Sequence, residues 1–270
     1  MRDLYLNEFM TTWRMRLVNF NDRLAERFPD KAEGAAGVEL DVIFFRDEGD
    51  LISGKLRKGP LGGRILKFYG SSYLVLAGPA PGRVSCFFER GVSFAHILRE
   101  GVNAAFLAFR DMVDVIFLHS SSVIVGDKAY LFVAPPEGGK STIFSYARER
   151  GIPGIDDECC VIKKHKDRYF ASSYPFDLLS GRGNAGKEIE KIFFLEKAEV
   201  NRAEGLSKTQ AMKRALPETE GFFTRSVQPE GLTRQRRHAF DLVGGMLDKV
   251  DHKLLYFRKD PGAVSCALQI

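Results

Sequence analysis

Cysteine is scarce in this chain, with four in 270 residues and no Cys-x-x-Cys. That excludes a disulfide framework and a zinc site built on paired cysteines. Cys159 and Cys160 are adjacent, so on a strand they point to opposite sides and do not make a metal pair. Long apolar runs are missing too. None reaches the roughly 18 residues at which a transmembrane helix becomes the reading, so no membrane partner is expected. Residues 1–8 are too polar for a signal peptide. Few cysteines and no such signal lead us to expect a reducing, cytoplasmic setting. There is no internal repeat and no low-complexity tract.

Strong charge of one sign is also absent. The formal net charge is +5 and the pI about 9.0, which suits an anionic ligand such as a nucleotide or an acidic protein partner. The basic clusters Arg234-Gln235-Arg236-Arg237-His238 and Lys163-Lys164-His165-Lys166 are short and not interleaved with aromatics at single-strand spacing. They read as solvated faces or turns, and a nucleic-acid partner ranks last.

What is present is a globular pattern, 44% hydrophobic. Phe9, Trp13, Leu17, Phe20, Leu24 and Phe28 recur at three- and four-residue steps and predict a helix over 9–28, ended by Pro29. Apolar runs at 38–45, 64–69, 73–76 and 83–88, with turns at 70–72 and 78–82, predict an antiparallel meander. Phe94, Ile97, Leu98, Val102, Ala105, Phe106 and Phe109 predict a helix over 93–111. Residues 115–133 read as two strands, with Gly126-Asp127 turning a hairpin into 130–133. Further strands are expected at 155–162, 169–171, 189–195, 254–257 and 264–268. Helices are expected at 142–150, 207–216 and 237–250. This divides the chain into an N-terminal α+β region, 1–112, and an α/β domain with a mixed sheet, 113–270.

The stretch Ala134-Pro135-Pro136-Glu137-Gly138-Gly139-Lys140-Ser141-Thr142 matches the second half of a phosphate-binding loop. Gly139-Lys140-Ser141 stand intact, and Ala134 replaces the first glycine. A strand pattern precedes it and a helix pattern follows. In that context backbone N–H groups and the helix N-terminus hold phosphate oxygens. Lys140 reaches the β- and γ-phosphates and the Ser141 hydroxyl ligates Mg²⁺. Pro135 and Pro136 lack N–H donors, so the cradle rests on Gly138, Gly139, Lys140, Ser141 and Thr142, with Glu137 beside them. The competing reading is a plain glycine-rich turn.

Asp156-Asp157-Glu158 follows one helix later. A carboxylate at a strand end there holds Mg²⁺ or accepts a proton from an attacking hydroxyl, and two adjacent aspartates allow both. An acidic turn capping the strand is the alternative. His119, in Leu118-His119-Ser120-Ser121-Ser122, sits just before the hairpin that feeds the loop. A core histidine is its competing reading, and the serines read as a bend.

His119, the Gly-turn hairpin, the loop ending Gly-Lys-Ser-Thr, Arg150-Gly151 and Asp156-Asp157 together resemble the C-terminal catalytic domain of bacterial HPr kinase/phosphorylase. They are closer still to the HPr-kinase-related proteins. The likeness covers 115–165 and continues loosely through 170–175, 192–195 and 254–257. It implies a phosphate-loop fold similar to phosphoenolpyruvate carboxykinase, with ATP and Mg²⁺ as cofactors and phosphoryl transfer to a serine hydroxyl. By position it implies Asp157 as general base, Asp156 and Ser141 in the metal shell, and His119 beside the transferring phosphate. Ser180-Gly181-Arg182-Gly183-Asn184-Ala185-Gly186 departs from the Glu-x-Arg-Gly-x-Gly of true HPr kinases by lacking the acidic residue. HPr is therefore not the expected acceptor, and a hydroxyl of a peptide, protein or small molecule is. Two further readings are a nucleotide-binding module without catalysis and, last, a nucleic-acid binder.

Overall fold

In a computed structural model, residues 2–8, 11–18, 38–45, 64–69, 73–77, 83–89, 114–173, 186–220 and 229–269 are described. The chain forms two compact units, one of residues 1–110 with 178–183 and 226–228, the other of residues 111–177, 184–225 and 229–270. Both rest on β-sheets, and four α-helices are described, so the protein is of mixed α/β class.

In the first unit, six strands run β1 (Arg2–Glu8), β2 (Thr11–Val18), β3 (Val38–Phe45), β4 (Arg64–Tyr69), β5 (Tyr73–Ala77) and β6 (Arg83–Glu89). Their order in the sheet is β1-β2-β3-β6-β5-β4. Of the expected helix over 9–28, residues 11–18 are strand instead, and 9–10 and 19–28 lie outside the described residues. The four-residue spacing of Trp13 and Leu17 also fits alternate strand positions, and β2 pairs along its length with β1, from Arg2↔Leu17 to Glu8↔Thr11. The expected meander holds for β4-β5-β6, which are antiparallel, but β3 lies parallel to both β2 and β6. The expected helix over 93–111 and the turns at 70–72 and 78–82 lie outside the described residues.

Among the described residues the second unit has nine strands, β7 (Val115–Leu118), β8 (Ser120–Val125), β9 (Lys128–Val133), β10 (Gly154–Asp156), β11 (Cys160–His165), β12 (Arg168–Ser173), β13 (Lys187–Lys197), β14 (Arg202–Gly205) and β15 (Asp251–Phe257). The main order is β10-β8-β9-β13-β12-β11-β7, and β15 adds to β13 with β14 beside it. β9, β13 and β15 are mutually parallel. The helices are α1 (Lys140–Glu149), α2 (Lys208–Glu220), α3 (Pro229–Lys249) and α4 (Gly262–Leu268).

Both faces of this sheet are covered, which explains the unbroken apolar runs 131–133 and 192–195 in its central strands. Leu131, Val133, Ile192 and Phe194 face a cluster with Ala211, Ala215, Val243 and Met246 of α2 and α3. Their neighbours Phe132, Phe193 and Leu195 face Ile143 and Ala147 of α1 and Val264 and Ala267 of α4. The Phe132 and Phe193 rings stack with centroids 5.4 Å apart, worth about 0.5–1.5 kcal/mol beyond burial.

Three expected elements are revised here. Residues 115–133 make three strands, because His119 leaves the ladder and donates its N–H to the Glu218 carbonyl. Ser120, Ser121 and Ser122 lie in β8 rather than in a bend. Residues 155–162 are two strands, broken where Asp156 Oδ1 accepts the N–H groups of Glu158 and Cys159, each at 2.9 Å. Residues 264–268 form α4, not a strand, and its buried Ala263, Val264, Ala267 and Leu268 follow helical spacing. Among the described residues no helix is long and apolar enough to cross a membrane.

Candidate phosphate-binding site

The loop after β9 is built by local rules. Gly138 N–H donates to Pro135 O at 2.9 Å, with Pro136 and then Glu137 in the middle and Glu137 at φ 62°. Proline followed by a positive φ is the pattern of a type II turn. The prolines therefore shape the turn, and Gly138's N–H is engaged inside it.

α1 begins at once. Gly139 is its N-cap at φ 102°, and no side chain caps the helix. The first intrahelical bond is Ile143 N–H to Gly139 O, 3.0 Å. The first-turn N–H groups, from Gly139 to Thr142, thus have no intrahelical acceptor and face outward with the positive end of the helix dipole. Gly139 admits no side chain, because a Cβ there would run into the buried ring of Phe257.

Lys140 is buried, 6% exposed. Its ammonium donates to Ala134 O at 2.7 Å and Pro135 O at 3.1 Å, folded back over its own loop. Burial pulls its pKa below the ordinary lysine value, opposed by the nearby carboxylates of Glu218 and Glu158. Ser121, buried in β8, donates its hydroxyl to Lys140 O at 3.2 Å and ties the start of α1 to the sheet.

A pocket of about 380 Å³ opens over this loop. It is lined by residues 136–142 together with His119, Asp157 and Glu158. Of the sequence-predicted residues, His119, Asp157, Glu137, Gly138, Gly139, Lys140, Ser141 and Thr142 are brought together here. Asp156 does not line the pocket, and its carboxylate holds the turn that presents Asp157 and Glu158. His119 Nδ1 lies 2.7 Å from Glu218 Oε2.

Two residues escaped the sequence reading. Glu158 was the third member of the acidic triplet. Glu218 had a signal of its own, since it falls in helical register with Ala211 and Ala215 and is buried with Thr219; a carboxylate on an apolar helix face calls for a partner.

Among the described residues no group of three or more His, Cys, Asp or Glu side chains could hold a metal. Mg²⁺ does not require one. It is commonly held by one or two carboxylates, water and the substrate's phosphates, and Ser141, Asp157 and Glu158 all line the pocket.

Cys160 lies beneath the site. Its thiol is 2.9 Å from Ser122 Oγ, and burial, then the Asp156 charge, pushes its pKa up to about 12.

Compared with known proteins, the chain matches no family model and no curated protein.

Proposed function

We propose that this protein is an ATP-dependent phosphotransferase acting on a hydroxyl, with serine of a peptide or protein as the preferred acceptor class and a small molecule as the other. The observation that carries the reading is that the loop of residues 136–142 lines one pocket together with His119, Asp157 and Glu158. A basic anion cradle opposite carboxylates is what phosphoryl transfer needs, since catalysis there is positioning and charge stabilisation.

In this reading Mg²⁺-ATP supplies the transferable phosphoryl group. The N–H groups from Gly139 to Thr142 bind its phosphates, and Lys140 leaves Ala134 O and Pro135 O to reach them. Ser141 takes the metal together with an acidic side chain across the pocket. Asp157, exposed at the pocket wall, accepts the proton of the attacking hydroxyl. His119, steadied by Glu218, lies beside the transferring group. Asp156 supports the metal shell through the turn it holds. The resemblance to HPr-kinase-related proteins and to the phosphoenolpyruvate carboxykinase type of phosphate-loop fold belongs to this proposal, as does a cytoplasmic location.

A second reading is nucleotide binding without turnover. It is favoured by the engaged N–H of Gly138 and the two prolines, which leave the cradle only its helix-side donors. Isothermal titration of Mg²⁺-ATP into the wild type and Lys140→Ala tests both. Binding in the wild type that drops at least tenfold in the variant supports the loop. ADP release stimulated by serine-containing peptides then favours transfer over binding alone. No binding to the wild type would overturn both readings.

A further inference from the structure

A second pocket, of about 500 Å³, adjoins the first and shares Glu137, Gly139 and Thr142 with it. Its far wall is made by Lys197, Ala198 and Glu199 on one side and Phe257, Arg258 and Lys259 on the other. We propose that this pocket takes the nucleoside half of the nucleotide, with its sugar hydroxyls on Glu199. The inference rests on the proposed function, and it assigns a direction to the bound nucleotide.

Topology gives the direction. β9 lies between β8 and β13 in the sheet. The phosphate loop leaves the C-terminal end of β9. On the β8 and β10 side lie His119, Asp157 and Glu158. On the opposite side lie the ends of β13 and β15, which run parallel to β9 and pair with each other up to Lys197↔Phe257. The second pocket therefore sits over the C-terminal ends of parallel strands, where open α/β sheets hold their ligands. A polyphosphate lying across the first turn of α1 has two ends. If its terminal phosphoryl group meets the carboxylates, its sugar and base extend over β13 and β15.

The chemistry of the wall fits that half. The volume lies within the roughly 300–1,000 Å³ of small-ligand sites. Lys197 and Lys259 are exposed and suit the inner phosphate. Glu199 offers a carboxylate to vicinal hydroxyls, the role an acidic residue plays toward ribose elsewhere. Ala198 leaves room beside it. The main chain is already engaged, with Ala198 N–H on Phe257 O at 2.9 Å and Arg258 N–H on Asn201 Oδ1 at 2.7 Å. Those two N–H groups are therefore not offered to the nucleoside, and the Glu199 side chain is.

The test is titration of the full-length protein with Mg²⁺-ATP and with Mg²⁺-tripolyphosphate, in wild type, Glu199→Ala and Ala198→Trp. We expect ATP to bind the wild type at least tenfold more tightly than tripolyphosphate. Each variant should lose about tenfold or more of the ATP affinity while tripolyphosphate affinity stays within a few-fold, which also reports an intact fold. Equal binding of the two ligands to the wild type, or an ATP advantage that survives both substitutions, overturns the nucleoside pocket and leaves the phosphate loop standing. Loss of both ligands in both variants also overturns it. Binding of neither ligand to the wild type overturns the phosphate-site reading and this inference with it.

Discussion

Glu218 holds His119 twice, by a side-chain contact from Oε2 to Nδ1 at 2.7 Å and by its backbone carbonyl accepting the His119 N–H at 3.0 Å. The two residues are 99 positions apart, and Glu218 lies in the last turn of α2, where helical carbonyls lack intrahelical partners. One end of α2 thus fixes both the backbone and the ring of a residue that lines the pocket over the loop of residues 136–142.

That arrangement makes Glu218 a positioning residue. Glu218→Ala should lower kcat by about 10- to 100-fold, the scale of a displaced catalytic group, with the nucleotide KM within a few-fold. Glu218→Gln keeps an acceptor and should fall between. The ¹⁵N shifts of the His119 ring give a readout independent of turnover. A ring tautomer unchanged in Glu218→Ala would defeat the role.

This contact also marks what the sequence could show. The strand, loop and helix over 128–149 were legible because they are contiguous, although the helix starts at Lys140 rather than at the expected 142. The hairpin at Gly126-Asp127 was legible for the same reason. The Glu218 to His119 bond was not, because tertiary pairing leaves only a faint local trace, one carboxylate on an apolar helix face. Val264-Ser265-Cys266-Ala267-Leu268 misled because a short apolar run does not separate strand from helix. The parallel placement of β13 between β9 and β15 was beyond reach, since periodicity identifies strands without naming their partners.

The two adjacent aspartates should separate cleanly. Asp157 faces the pocket, so Asp157→Asn should cut phosphoryl transfer by about 10²–10⁴-fold, the range of general-base catalysis, while Mg²⁺-ATP affinity stays within a few-fold. Asp156→Asn retains an oxygen for the Glu158 and Cys159 N–H groups and should be milder. Asp156→Ala releases both donors and should cost about 1–3 kcal/mol of stability. ADP formation and urea denaturation of the three variants measure this. Full transfer activity in Asp157→Asn sinks the assignment.

Gly139 is expected to be irreplaceable. Its φ of 102° disfavours any side chain, and the Phe257 ring occupies the space a Cβ needs. Gly139→Ala should cost at least about 2 kcal/mol, combining backbone strain with overpacking, and should abolish nucleotide binding. Gly126→Ala is the control. It also has a positive φ, 62°, but nothing lies within 4 Å of the added carbon, so backbone strain alone applies, about 1–2 kcal/mol. Equal losses in chemical denaturation would show that the Phe257 contact is immaterial.

Cys159 and Cys160 are buried while Cys266 is half-buried. Nucleophilic alkylation requires thiolate. With the Cys160 pKa pushed up from 9.0 to about 12, and that of Cys159 also raised well above 9.0 by burial first, neither ionises in the folded protein at pH 8. Among these three, iodoacetamide at that pH should label Cys266 first, and the buried pair only after denaturant is added, as peptide mass mapping would read. The same shift sets a pH dependence of stability. The native state keeps the Cys160 proton where the unfolded state has lost it, so the stabilisation is complete below pH 9 and is lost as pH rises from 9 toward about 12. Denaturation midpoints should therefore fall between pH 8.5 and about 10.5, and fall less steeply in Cys160→Ala. An identical slope in that variant would mean that other groups carry the alkaline loss.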